Sequence, residues 1–112
     1  MHHYTFTESF CKVAKEIHAN AVSKGFWDTP RKNEAEIICL IHSELSEALE
    51  GLRNGNKSSE HIPDFSAVEE ELADVIIRIM DYATAMKYRV AEAIIKKMIF
   101  NATRPAKHGK RF

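Results

Sequence analysis

Apolar residues recur every three to four positions over most of the chain, the period of an α-helix with one buried face. Turn and cap residues divide the pattern into four helical stretches. The first is predicted over Phe6–Ser23, with Thr5 and Glu8 at capping-box spacing and Gly25 as a stop. A loop follows from Gly25 to Pro30, containing Phe26 and Trp27. The second helix is predicted from Asn33, with Glu36 at the position of a cap partner, to Leu52, ending at Asn54-Gly55. A polar loop runs past Pro63, and Ser66 with Glu69 opens a third helix that extends to Met86. No Gly or Pro marks its end; the break is set where the apolar phase restarts at Val90. The fourth helix covers Val90–Thr103 and stops before Pro105, leaving an extended basic tail from Ala106 to Phe112. No strand pattern is present, so the expected fold is all-α, a four-helix bundle-like protomer.

At about 100° per residue, the buried stripe of the second helix is Ile37, Ile41, Leu45, Ala48 and Leu52. Glu44 falls on the shoulder of this stripe, and Glu47 follows on the same side. The third helix is apolar on two faces. One carries Leu72, Val75, Ile76, Ile79, Ala83 and Met86, the other Ala73, Ile77 and Met80. A helix apolar on two sides is packed on two sides, which suggests a subunit interface. Between the faces runs a polar ridge of Glu71, Asp74, Arg78 and Asp81. If the second and third helices are antiparallel neighbours, Glu44 and Glu47 face Glu71 and Asp74 across one groove. Carboxylates about 4 Å apart repel by on the order of 4 kcal/mol per pair at an effective dielectric near 20. Such a cluster needs protons or cations. Its ligands are oxygen only, with no His or Cys at ligand spacing, which suits Mg²⁺ or Mn²⁺ better than zinc or copper. The alternative is that these are ordinary surface acids.

With 112 residues the chain is a single domain, residues 1–112, and so small a chain can bury only a modest core. The formal net charge is zero, but it is unevenly spread. Nine acids lie between Glu44 and Asp74 against Arg53 and Lys57, and six bases with no acid lie from Lys96 onward. Cys11 and Cys39 fall in helical stretches and are expected as buried or half-buried free thiols. The N-terminus lacks an apolar signal core and no run is long enough to span a membrane, so a cytoplasmic protein without a membrane partner is expected.

Glu44-Leu45-Ser46-Glu47, then 23 residues, then Glu71-Leu72-Ala73-Asp74 resembles the E-x-x-E…E-x-x-D signature of the all-α nucleoside triphosphate pyrophosphatases, and the chain looks like a MazG-type member. The stretches Ile41–Glu50 and Glu69–Arg78 are similar to the family's two core helices, and Lys97-Met98-Ile99-Phe100-Asn101 with Arg104-Pro105 and His108-Gly109-Lys110 to its last helix and tail. The resemblance implies Mg²⁺-dependent hydrolysis of a nucleoside triphosphate, often a deoxynucleotide, to the monophosphate and pyrophosphate. It implies Glu44, Glu47, Glu71 and Asp74 as metal ligands and catalytic carboxylates, with Lys97 and Asn101 reaching the phosphates or the metal shell. It also implies a homodimer or a dimer-of-dimers tetramer. No Ser or Cys with a neighbouring base stands out, so direct attack by water is expected rather than a covalent intermediate.

In the related mammalian dCTP pyrophosphatases a histidine and a tryptophan nine residues later hold the base, and His18 and Trp27 have that spacing. Trp27 could equally plug the core between the first two helices. Arg78 stands where those relatives carry an aromatic residue, with Asp74 or Asp81 as its expected charge partner. Arg104 and Lys107 are expected to close over the triphosphate. Two other functions compete: a nucleic-acid binder using the basic tail, and a non-catalytic helical adaptor. Confinement of the bases to the last helix and tail, and the repulsion of a polyanion by the acidic groove, disfavour the first.

Overall fold

The computed structural model describes residues 3–28 and 33–111, with His108 described by its backbone alone. Thr29, Pro30 and Phe112, which the sequence places in the first loop and the tail, lie outside the described residues. Four α-helices follow one another: α1 (His3–Ser23), α2 (Glu34–Arg53), α3 (Ala67–Met86) and α4 (Val90–Ala102). A 3-10 turn spans Ala106–Gly109. No strand occurs among the described residues, and an isolated antiparallel bridge joins Ser58 to Ser66. The fold is therefore all-α.

Two of the three expected N-terminal caps act where the sequence places them. Asn33 accepts a hydrogen bond from the Glu36 N–H at 2.8 Å and opens α2. Ser66 and Glu69 form a reciprocal capping box at the start of α3, which satisfies two otherwise unpaired donors. α1 starts at His3, ahead of the Thr5–Glu8 spacing, because the preceding residues are compatible with helix and a Phe6–Phe10 ring contact at 5.8 Å ties its first turns together. α3 ends at Lys87, whose φ of 62° takes the left-handed conformation that glycine usually supplies. The next residue is held in place: the Tyr88 N–H returns to the Ala83 carbonyl, and the Tyr88 hydroxyl donates to Glu34 at 2.5 Å. The tail is not extended as expected. Lys107 (φ 55°) and Gly109 (φ 80°) turn it, and the Lys110 N–H closes on the Lys107 carbonyl.

α2 and α3 run antiparallel. Glu34 at the start of α2 meets Tyr82 and Tyr88 at the end of α3, and Gly51 near the end of α2 lies against Ala67 at the start of α3. A Cβ on Gly51 would come within 3.2 Å of the Ala67 Cβ, so a small residue there permits the close approach. α1 packs on α3, and α4 packs on α1.

The buried apolar core consists of Ala14, Ala21, Ala48, Met80, Ala83 and Ala91, mostly small side chains. The predicted α2 stripe is corrected accordingly. Ala48 is buried and Ile37 and Ile41 are half-buried, but Leu45 and Leu52 are exposed. On α3, Leu72 and Ile76 are also exposed. The radius of gyration is 16.5 Å, against about 13 Å for a compact domain of this length. Cys11 and Cys39 are free as expected but exposed. Among the described residues no helix is long and apolar enough to cross a membrane.

Candidate metal centre

The antiparallel pairing of α2 and α3 sets the i, i+3 acids of one helix opposite those of the other. Oxygen atoms of Glu44, Glu47 and Glu71 lie within 4.8 Å of one another. The Glu44 side chain is 12% exposed, Glu47 is open to solvent, and Glu71 lies between them. Glu71 Oε2 is shielded from solvent and meets no hydrogen-bond donor. Its neighbours are other carboxylates, which accept and cannot donate unless protonated. Burial, followed by sharing of a proton with Glu44 and Glu47, pushes the Glu71 carboxyl up to about 7. A buried acceptor without a donor costs on the order of 1–3 kcal/mol, more when charged. A cation removes that cost, and an all-oxygen set with one solvent-open member fits a hard divalent ion that keeps some of its water.

Asp74 falls outside that group and belongs to a second one, Glu70, Glu71 and Asp74, which shares Glu71 with the first. Burial and the charge of Glu44 push the Asp74 carboxyl above its usual range, while Arg78 opposes the shift. Glu70 has a different occupation. It accepts from the buried Ser59 hydroxyl, and its other oxygen lies 2.8 Å from His61 Nδ1. These two bonds hold the Glu70 carboxyl below its ordinary value. Ser59 Oγ also accepts the N–H groups of His61 and Ile62. Glu70 thus anchors the α2–α3 loop beside the acidic centre. The sequence signal for it was only its place beside Glu71, which does not distinguish an anchor from a ligand.

A cavity of about 550 Å³ opens from Glu44 and Asp74, walled by Ile37, Ile41 and Ile77 and by the Trp27 and Tyr82 rings. Its volume lies within the ordinary range of small-molecule sites, about 300–1,000 Å³. His18 and Trp27 meet as the sequence spacing suggests, ring edge to ring face at 5.7 Å. Both nevertheless direct their polar atoms at Asp81. His18 Nδ1 donates to Oδ1 at 2.7 Å, and Trp27 Nε1 donates across both oxygens at 3.0 and 3.1 Å. Asp81, read from sequence as one member of a polar ridge and a partner for Arg78, orients the indole on the cavity wall. Tyr82 gives its hydroxyl to Glu34 at 2.7 Å, which pushes its phenol up to about 12 and keeps it neutral. Glu16 and Asn20 of α1 also line the cavity, and sequence reading had singled out neither.

Arg78 corrects an expectation. Its hydrogen-bonded partner is neither Asp74 nor Asp81 on its own helix but Glu44 across the groove, with Nε donating to Oε1 at 3.0 Å. Asp81 is occupied by His18 and Trp27.

The remaining basic residues are not brought to the acids within one chain. Lys97 and Asn101 line a separate shallow depression on α4 with Val90, Ile94 and Met98. Lys97 Nζ sits 4.8 Å and the Arg104 guanidinium carbon 5.5 Å from the centre of the Phe100 ring. Lys107 Nζ reaches the Arg111 carbonyl at 3.5 Å. The cause is topological, because α4 packs on α1 rather than on the α2–α3 groove. Comparison of the chain with protein-family models, with curated proteins and with solved structures finds no match.

Proposed function

We propose that the chain is a Mg²⁺-dependent nucleoside triphosphate pyrophosphatase, hydrolysing a (deoxy)nucleoside triphosphate to the monophosphate and pyrophosphate. One observation carries the reading. Glu71 Oε2 is buried without a donor among carboxylates, and two of the neighbouring acids, Glu44 and Asp74, line a cavity large enough for a nucleoside. A hard divalent cation answers the first feature and a triphosphate nucleotide joins it to the second. The likeness of the two acidic helices to those of the all-α pyrophosphatases supports the same conclusion.

Glu44, Glu47, Glu71 and Asp74 would hold the ion, with Mn²⁺ as a substitute. When bound, it would neutralise charge developing on the phosphate oxygens and make water a better nucleophile. A carboxylate of the set accepts the proton of the attacking water. Trp27, fixed by Asp81, offers its face to the base, and the aliphatic walls exclude water around it. The exposed residues Leu45, Leu49, Leu52, Leu72 and Ile76 favour a homodimer or a dimer of dimers, which would also give Lys97, Asn101, Arg104 and Lys107 a route to the phosphates from a second chain. Sedimentation at micromolar concentration tests the assembly, and a monomer contradicts it.

The activity test is direct. The purified protein is given each ribo- and deoxyribonucleoside triphosphate with Mg²⁺, and pyrophosphate release is followed. Release from at least one nucleotide, abolished by Glu44→Gln, is the expected result. No release from any of them rules the reading out.

A further inference from the structure

Arg78 is the one cation among the described residues that line the cavity, against Glu16, Glu44, Asp74 and Asp81. It sits at the junction of the acidic centre and the apolar chamber. Its bond to Glu44 uses Nε, and the guanidinium side chain remains 42% exposed. An arginine placed between two acids of its own helix would ordinarily pair there. Here it crosses the groove to a residue of the acidic centre.

Glu44 therefore has two suitors. Without a cation, Arg78 neutralises part of a cluster in which the shielded Oε2 of Glu71 meets no donor. With a divalent ion on Glu44, Arg78 faces a like charge a few ångströms away, and its favourable contact becomes repulsive. A triphosphate arriving at the same place is an anion with planar pairs of oxygens that a guanidinium fork matches in two-point contact.

We propose that Arg78 is a built-in counter-ion, held by Glu44 in the metal-free protein and transferred to the phosphates of the incoming nucleotide once a divalent cation takes Glu44. This rests on the metal-dependent reading above. It has a consequence that a purely structural salt bridge lacks. Removing the charge strengthens cation binding and weakens nucleotide binding.

The experiment uses full-length protein and its Arg78→Met and Arg78→Lys variants, with helical content checked by circular dichroism. Binding of Mn²⁺ alone is measured by electron paramagnetic resonance. Binding of α,β-imido deoxynucleoside triphosphates in saturating Mn²⁺ is measured calorimetrically, using whichever of the four bases binds the original protein most tightly. Arg78→Met is expected to bind Mn²⁺ on the order of tenfold more tightly, and the nucleotide analogue on the order of tenfold more weakly. Arg78→Lys keeps the charge and stays near the original Mn²⁺ affinity, but loses part of the nucleotide affinity with the fork. Unchanged or weakened Mn²⁺ binding in Arg78→Met overturns the proposal, as does unchanged nucleotide binding. Failure of the original protein to bind Mn²⁺ overturns the metal reading itself, and the Arg78 proposal falls with it.

Discussion

Glu71 and Asp81 lie on one polar ridge of α3, ten residues apart, in opposite surroundings. Asp81 receives the His18 Nδ1–H and the Trp27 Nε1–H. Glu71 receives no donor on its shielded oxygen and faces two further carboxylates. The chain supplies the donors of one carboxylate from its own residues and leaves a shielded oxygen of the other without one. A half-buried carboxylate with its donors supplied holds its surroundings in place. One without them is costly for folding and retains its use only if a ligand relieves it.

Substitutions should separate the two carboxylates sharply. Glu71→Gln should reduce Mg²⁺-dependent turnover by at least about a hundredfold, the scale expected when one preorganised electrostatic group is lost. It should also raise the melting temperature of the metal-free protein, because it removes a repelling charge. Steady-state assays and thermal unfolding in chelator check both; a metal-free protein that melts lower would contradict the picture of an uncompensated carboxylate. Asp81→Ala should do the reverse. It leaves two ring N–H donors without their acceptor and should destabilise by about 1–3 kcal/mol in denaturant titration. Mn²⁺ affinity should persist while KM for the nucleotide rises, since Trp27 loses its orientation.

Smaller effects sharpen the same contrast. Ser59→Ala removes the hydroxyl that joins Glu70 to two loop N–H groups and should cost about 1–2 kcal/mol. Cation affinity should change little, because Glu70 anchors the loop rather than holding the ion. The pH dependence follows from the raised Glu71 carboxyl. An acid whose folded pKa lies above its unfolded value binds more protons when folded, so stability falls as pH rises between the two values. In chelator the melting temperature should decline as pH rises from 4.5 to about 7, and saturating Mg²⁺ should flatten the decline. A chelator profile that rises across that window would contradict the assigned cause.

The sequence made the helices legible because local spacing records them. Asn33, Ser66 and Gly25 mark termini through hydrogen bonds and backbone preferences within a few residues. The meeting of Glu44, Glu47 and Glu71 was legible for the same reason: i, i+3 spacing fixes a shared face whatever the helix packs against. Features decided by packing were not. The end of α3 depends on the Tyr88–Glu34 bond between residues 54 apart, and Lys87 takes a glycine's conformation with no glycine to signal it. The partner of Arg78 was sought on its own helix and lies on the neighbour. Lys97 and Asn101 were placed by resemblance, whereas their distance from the acids follows from α4 packing on α1. Leu45 and Leu52 were expected inside because helical phase identifies an apolar face but not whether anything in the same chain covers it.

The central claim is that Glu71 lacks a partner until a divalent cation arrives. Calorimetric titration with Mn²⁺ at pH 6, repeated in buffers of different ionisation enthalpy, tests it most directly by counting released protons. A Glu71 carboxyl near 7 is mostly protonated at pH 6, so binding should release about one proton per ion, falling toward none by about pH 8.5. Glu71→Gln should abolish both the release and most of the binding. Binding without proton release at pH 6, or no binding at all, would contradict the account.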